Sequence, residues 1–441
     1  MKSLSMSSKT LLNLGKATSK IGSGATPRGG KAAYLGGETS LIRSLNVYDH
    51  GFQIEGLAKI NAQQAESLKN VTVIEDDVLF NITGASVARC CVVPKEILPA
   101  RVNQHVSIIR TDKSVLNPHY LHYYLIHPDV KSKLLSASGG SSREAITKDQ
   151  LEGLSFEAAD IRTQNAVAQI LTKLDDKIAL NNKLNAELEK VARLTFDYWF
   201  LQFDFPDANN KPYRSSGGSM IYSPELKTQL PEAWQPSSIQ ELVYKAKNGD
   251  WGNSDQGGDS IKAHCIRGAD IDGLNGVTAF DPPLRYIKRK NGNRLLKEND
   301  LIVEISGGSP VQSTGRMAHI SEYVIDRLEG SVVCSNFCKA ISLKNPRLSF
   351  VVNHYWMRLY ESGVFFNHEG KTSGIKNLMF DQLIKDVYIA LPKDNQLIEK
   401  FYKFSSSIDQ QKQLHLTQNL ELERLRDLLL PLLMTGQVKV N

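Results

Sequence analysis

Residues 171–200 read LTKLDDKIALNNKLNAELEKVARLTFDYWF, with neither proline nor glycine. Residues 405–433 read SSSIDQQKQLHLTQNLELERLRDLLLPLL, a looser version of the same pattern. Stretches of this length and pattern predict helices. Each rod would run to roughly 37 residues, about 55 Å, well beyond the usual globular helix. A single apolar stripe on such a rod needs a partner to bury it.

The stripe is periodic. Val167, Ile170, Leu174, Ile178, Asn181, Leu184, Leu188 and Val191 are spaced by three and four, nearly in alternation. So are Phe401, Phe404, Ile408, Gln411, His415, Gln418, Leu422, Leu425, Leu429 and Leu432. That alternation is the seam of a two-stranded coiled coil. The counterpart of each helix is therefore expected to be the other, and a chain that builds a globule between them makes the pairing antiparallel. Asn181 and His415 fall near the two helix centres, so they are expected to share one polar layer.

The rest of the chain also repeats itself. SLIRSLNVYDHG (40–51) is echoed by HCIRGADIDGLNG (264–276), and VIEDDVLFNITG (73–84) by LLKENDLIVEISG (295–307). VNQHVSIIRTDKSVLNPHYLHYYLI is echoed by CSNFCKAISLKNPRLSFVVNHYWM, and GGSSREAITKDQLEGLSF by EGKTSGIKNLMFDQLIKDVYI. Asp175 matches Asp409 and Leu188 matches Leu422, both 234 positions apart. Such repetition is the signature of a duplicated unit.

Within each half, DDVLFNIT and DLIVEIS have strand length and end in a glycine turn. HYLHYYLIHPDVKSKLLSAS is helical by spacing, with Pro128 interrupting or starting a helix. ITKDQLEGLSF reads as a short helix and a strand. The fold class is therefore α+β: two similar globular domains separated by two long helices that form an antiparallel coiled coil, with a pseudo-twofold internal repeat. Expected boundaries are 1–160 for the first globule, 161–202 for the central helix and 203–220 for a linker rich in Pro, Asn, Ser and Gly. The second globule takes 221–394, and the C-terminal helix and tail take 395–441.

Composition narrows the class. At 441 residues, two or three domains are the natural prior. A formal net charge of +6 suits a polyanion partner without requiring one. Five cysteines, an odd number with Cys90 and Cys91 adjacent, make no disulfide framework and suit a reducing compartment. Cys334 and Cys338 lack a second ligand pair for zinc, and small core residues is the better reading. No apolar run is long enough to span a bilayer, and MKSLSMSSKTLLNLG has no signal-peptide core. The expected location is cytoplasmic.

These motifs together resemble the specificity subunits of Type I restriction-modification systems. The resemblance rests on TPRGG, EDDVLFNITG, NQHVSIIR, LNPHYLHYYL and SGGSSREAIT, and above all on QNAVAQILTKLDDKIALNNKLNAELEKVARLTFDYWFLQFDFP. In the second half it rests on LPEAW, ENDLIVEISGG, EGKTSGIKNLMFDQL and LLLPLLMTGQVKV. It implies two target recognition domains, each reading half of a split, asymmetric site in double-stranded DNA. It also implies that the helices dock methyltransferase subunits, two of them, with restriction and motor subunits outside. The first half lacks the Pro-x-x-Trp entry that LPEAWQP supplies in the second, and NGDWGN stands where the first half has GSGATPRGG.

A chain of that family carries no catalysis of its own, and the residues agree. FDPPLRY (280–286) approaches the D-P-P-aromatic motif of adenine methyltransferases, but Leu284 has no π-face on which a base could stack. Asp300 and Glu304 lack the lysine of a nuclease site, and there is no phosphate-binding loop of a motor. No cofactor or metal is expected on this chain; S-adenosylmethionine, ATP and Mg belong to partner subunits. The alternatives are a stand-alone DNA adenine methyltransferase and a coiled-coil scaffold without DNA specificity.

Contacts to DNA are expected from glycine- and hydroxyl-rich loops that carry cationic and amide side chains. In the first half these are Thr26, Arg28, Lys31, Arg43, Thr83, Ser86, Ser142 and Arg143. In the second they are Lys247, Asn248, Trp251, Arg267, Ser309, Gln312, Lys371, Thr372 and Ser373.

Overall fold

The computed structural model describes residues 9–27, 33–34, 36–138, 145–278, 280–307, 312–372 and 375–440, with backbone only at 371–372. The chain divides into two compact units, residues 1–178 with 421–441, and residues 179–420. Each unit contains an α+β globule and one half of each long helix.

In the first unit a four-stranded sheet has the spatial order 18–23, 106–111, 78–81, 90–92, and a second has the order 58–60, 39–42, 100–102, 72–73. The strands form where the sequence alternates or runs apolar: Val78, Leu79 and Phe80 are fully buried. The helices Pro118–Ile126 and Pro128–Ser138 follow, each opened by its proline, which needs no N–H donor at a helix start. Asn117 caps the first of them by accepting from the Tyr120 N–H. Lys148–Glu152 and the strand Ser155–Ala158 close the globule.

The second unit uses the same frame. Its four-stranded sheet has the order 243–248, 338–343, 301–304, 317–319, beside a sheet of 284–288, 260–266 and 331–334. The register proves the correspondence. Asn81 lies opposite Val106 in one unit and Glu304 opposite Cys338 in the other. Strand 39–42 runs parallel to 100–102, as 260–266 does to 331–334. All five cysteines are buried, and burial pushes the Cys91, Cys265 and Cys338 thiols up to about 12, as inert core residues require.

The long helices span Ile161–Phe196 and Gln396–Thr435, the first continuing as a wide turn through Leu201. Phe200 meets Phe401 edge-on at 5.0 Å, and Phe203 and Phe205 pack on Trp234 at 5.3 Å each. In both units the pairing is antiparallel. Arg426 donates to Asp175 at 2.8 Å in the first. In the second, Asn419 donates to Asn182 at 2.8 Å, and Lys412 pairs with Glu189. Each step of seven along one helix is thus a step of seven back along the other.

That register corrects the expected seam. Leu174, Ile178, Leu188 and Leu422 are partly buried and Ile408 is buried, but Leu184 and Leu425 are 40% and 42% exposed. Asn185 and Arg426, one position further on, are buried in their place. Asn181 does not bond His415 but donates to Asn419 at 2.9 Å, while His415 Nδ1 lies 2.7 Å from Asn185 Oδ1. The pairing is displaced by about one helical turn. The cause is chemical: side chains that form hydrogen-bonded ion pairs can occupy a seam that apolar spacing assigns to leucine.

Candidate nucleic-acid interface

In each unit hydrogen bonds tie four segments together, the turn after a strand, an arginine, a strand end and a hairpin tip, and in the second unit they border a pocket. In the first unit these are Gly24–Thr26, Arg43, Asn81–Thr83 and Asn103–His105. In the second they are Gly249–Trp251, Arg267, Glu304–Ser306 and Ser335–Phe337.

The same backbone contacts hold both clefts. Asn103 N–H donates to the Ile42 carbonyl and Ser335 N–H to that of Ile266, at 3.0 and 2.8 Å. Ile82 N–H donates to the His105 carbonyl and Ile305 N–H to that of Phe337. The turn glycines are needed because the chains touch. A Cβ at Gly24 would sit 1.7 Å from the Val102 carbonyl oxygen, and one at Gly249 would sit 1.9 Å from that of Ser335. The arginine is braced alike: the Arg43 N–H donates to Asn46 and the Arg267 N–H to Asp270.

The linings differ. In the first cleft the Thr26 hydroxyl donates to Gln104, and Thr83 Oγ1 lies 2.6 Å from His105 Nδ1. Asn81 donates to the Ser86 hydroxyl and to the Ser44 carbonyl. The Arg43 guanidinium donates to the Gly56 carbonyl and lies 5.7 Å from the Tyr34 ring centre. This cleft presents hydroxyl, amide and imidazole groups.

The second cleft is apolar and aromatic. Trp251, Ala269 and Phe337 border a 410 Å³ pocket floored by Gly268 and Glu304. Phe337 is 55% exposed at the hairpin tip. The Arg285 guanidinium lies 4.4 Å over the Trp251 ring and donates to its carbonyl, while the Trp251 N–H donates to Asn336. Glu304 is held by two hydrogen bonds from Arg316 at 3.0 Å, which raise the arginine further above its ordinary range. Arg267 grips Asp270 through two bonds of 2.8 Å, which likewise raise its pKa, and keeps 43% of its side chain exposed.

Thr26, Arg43, Thr83, Trp251 and Arg267 thus stand at the clefts, and Asn248 is exposed one residue before the second turn. Lys247 is a correction. Its side chain is 8% exposed and its ammonium bonds Asp300 at 2.9 Å, so it supports the sheet instead of facing a ligand. The Ser86 hydroxyl accepts from Asn81. Gln312 is exposed, with its carbonyl accepting from Lys376 at 3.3 Å. Arg28, Lys31, Ser142, Arg143, Ser309 and Ser373 lie outside the described residues, and Lys371 and Thr372 sit in the strand Glu369–Thr372. Sequence reasoning missed Gln104, His105, Asn336 and Phe337. Their signal was the echo of NQHV by SNFC, aligned on the same hairpin tip with different chemistry.

Residues 19–190 match the Type I restriction modification DNA specificity domain. The chain is 27% identical over 209 residues to the Type I restriction enzyme HindI specificity subunit of Haemophilus influenzae, a match covering 44% of each protein. It is 21% identical over 439 residues to the MjaIX specificity subunit of Methanocaldococcus jannaschii, covering 97% of this chain and 93% of that protein. In fold it is similar to the S subunit of the M. genitalium Type I restriction-modification system, with a TM-score of 0.60 at 13% identity over 98% of each chain. With its duplicated units and paired helices, the chain is similar along its length to Type I restriction-modification specificity subunits, and residues 19–190 match that family's DNA specificity domain.

Proposed function

We propose that the chain is the DNA-reading subunit of a Type I restriction-modification complex, each cleft reading one half of a bipartite, asymmetric site in double-stranded DNA. The observation that carries this is a pair of clefts built on one backbone frame but lined with unlike groups. A shared frame presents each lining to DNA in the same way, and different linings select different bases. The hydrogen-bonding cleft around Gln104 and His105 suits polar base edges, and the apolar cleft around Phe337 suits a methyl-bearing edge.

In this reading the chain catalyses nothing. Methyl transfer with S-adenosylmethionine, and ATP- and Mg-dependent cleavage, belong to methyltransferase and restriction subunits docked on it. The paired helices set the spacer between half-sites and dock the methyltransferases. FDPPLRY supports this over a stand-alone methyltransferase. Leu284 begins a strand, Leu284–Lys288, paired with Ser260–His264, and is a β-sheet residue instead of a stacking platform.

The test uses the full chain assembled with its methyltransferase subunit. Sequencing of methylated genomic DNA should return one bipartite motif. Arg267→Lys should relax or weaken one half-site, losing roughly 1–3 kcal/mol if a base contact is lost, and spare the other. Loss of both halves together would refute the assignment of one half-site to each cleft.

A further inference from the structure

The helical pair carries one acid without its base. Asp175 in the first unit is held by Arg426 at 2.8 Å and by the Tyr123 hydroxyl at 2.6 Å. Its repeat counterpart is Asp409, 234 positions on, and the same offset relates Arg426 to Ala192. The register agrees: three residues beyond Glu189 and three before Lys412 bring Ala192 opposite Asp409. Where the first unit puts an arginine on its aspartate, the second puts a methyl group.

Space is left there. Ala192 and Asp409 both line a 450 Å³ cavity, with Ser405, Asn353, His354 and Lys412 among its other walls. Asp409 Oδ1 takes a long bond of 3.3 Å from Gln413, and Oδ2 is buried without a partner. The Ser405 hydroxyl, on a residue 3% exposed, and Asn353 Oδ1 are likewise unpaired.

The cavity's own cations are committed elsewhere. Lys412 pairs with Glu189, Arg193 with Glu361 and Arg358 with Asp197. Burial lowers His354 and His319 to about 4, so both are neutral at pH 7. Arg327, whose Nε is also buried without a partner, feels the Asp409 charge and sits 4.6 Å over the Phe280 ring, but among the described residues it forms no ion pair with Asp409. Orphaned acceptors around a carboxylate call for a donor-rich cation. The cavity reaches the surface beside Val277, which is 77% exposed.

We propose that this cavity is a socket for a guanidinium or ammonium side chain, arginine in first place, from a protein subunit docked on the second unit's helices. This rests on the reading that methyltransferase subunits dock there. The shape follows from the repeat: the hole stands where the first unit supplies its own arginine.

Assembly of the full chain with its methyltransferase subunit, followed by titration, tests it alongside melting temperature. Asp409→Asn should weaken assembly by about 30-fold or more with little fall in melting temperature, because in the isolated chain the carboxylate holds only the long Gln413 bond and its attraction to Arg327. Ala192→Arg should raise the melting temperature and also weaken assembly, since the chain then fills its own socket. Both variants assembling like wild type would overturn the socket while leaving docking intact. A wild-type chain that fails to assemble would overturn docking and socket together. Arginine amide and spermidine form the last arm. If either raises the melting temperature of wild type but not of Asp409→Asn, and assembly is unaffected by the substitution, the cavity is a small-cation site and the proposal fails.

Discussion

Arg426 reaches across the helical pair to Asp175, its guanidinium 2.8 Å from the carboxylate, with the two side chains 7% and 19% exposed. With Asn182–Asn419 and Glu189–Lys412 it marks layers seven residues apart. The central helix supplies acids and an amide, and the C-terminal helix supplies bases and an amide. Two central helices from different copies would set acid against acid. The ladder therefore favours pairing of unlike helices in a single register, as polar seam residues do in other coiled coils.

Removing one partner exposes that role. Arg426→Ala should cost about 3 kcal/mol by stranding a buried carboxylate, with the Tyr123 bond to Asp175 limiting the loss. Asp175→Asn combined with Arg426→Gln should recover most of it. Urea unfolding of the two single variants and the double variant yields the coupling energy. A coupling near zero would mean that the pair does not specify the register.

Acid should weaken the fold through its buried histidines. Burial lowers His122, His319 and His354 to about 4, below the unfolded value of about 6.5. Between those pH values the unfolded chain binds protons that the folded chain refuses. Stability is therefore complete above about pH 6.5 and falls as pH drops towards 4, by up to about 3 kcal/mol per histidine. His354 faces Glu189, Lys412 and Arg193 and stacks on Phe196 at 5.4 Å. His354→Gln should flatten the slope of melting temperature against pH across this window. An unchanged slope would mean that His354 takes up its proton without unfolding.

Much of this was legible beforehand, for physical reasons. The repeat order, the strands 78–81 and 301–304, and the proline-started helices of the first unit follow from periodicity and backbone chemistry. The seam was not. Asp175, Glu189, Lys412 and Arg426 stand outside the apolar spacing, and sequence spacing cannot reveal that each finds its opposite across the pair. Lys247 misled in the converse way: a lysine before an Asn-Gly turn looks free, yet Asp300 holds it inside. Gln104 and Phe337 were hidden because a hairpin tip becomes part of a cleft only once distant strands bring it to Thr26 or Trp251.

In the proposed reading, the aromatic cleft should meet a methyl-bearing base. Phe337, more than half exposed beside Trp251, offers an apolar surface of the kind that meets the thymine 5-methyl group in the major groove. Replacing thymines one at a time by uracil in the half-site read by the second unit should weaken binding at one position, by roughly 1 kcal/mol, about one methyl. Phe337→Ala should abolish that sensitivity and leave the first half-site unaffected. If no thymine position responds, the cleft recognises its half-site by other contacts.

Spacer length should follow helix length, provided that both helices grow together. Four residues added to one helix alone would misalign the polar layers beyond the insertion. Seven residues added after Asn185 and seven after His415, facing positions in the observed register, keep every layer paired. At 1.5 Å per residue the pair lengthens by about 10.5 Å, close to three base pairs at about 3.4 Å each. Each added pair also turns the duplex by about 34°, at 10–10.5 pairs per turn. A heptad rotates a helix face by only about 20°. The lengthened protein should therefore select a spacer longer by two or three pairs, at reduced affinity, because the duplex must untwist to present both half-sites. Selection of bound fragments from a library of randomised spacer lengths reads this directly. A preferred spacer equal to that of the unaltered chain would show that half-site separation is set outside the helical pair.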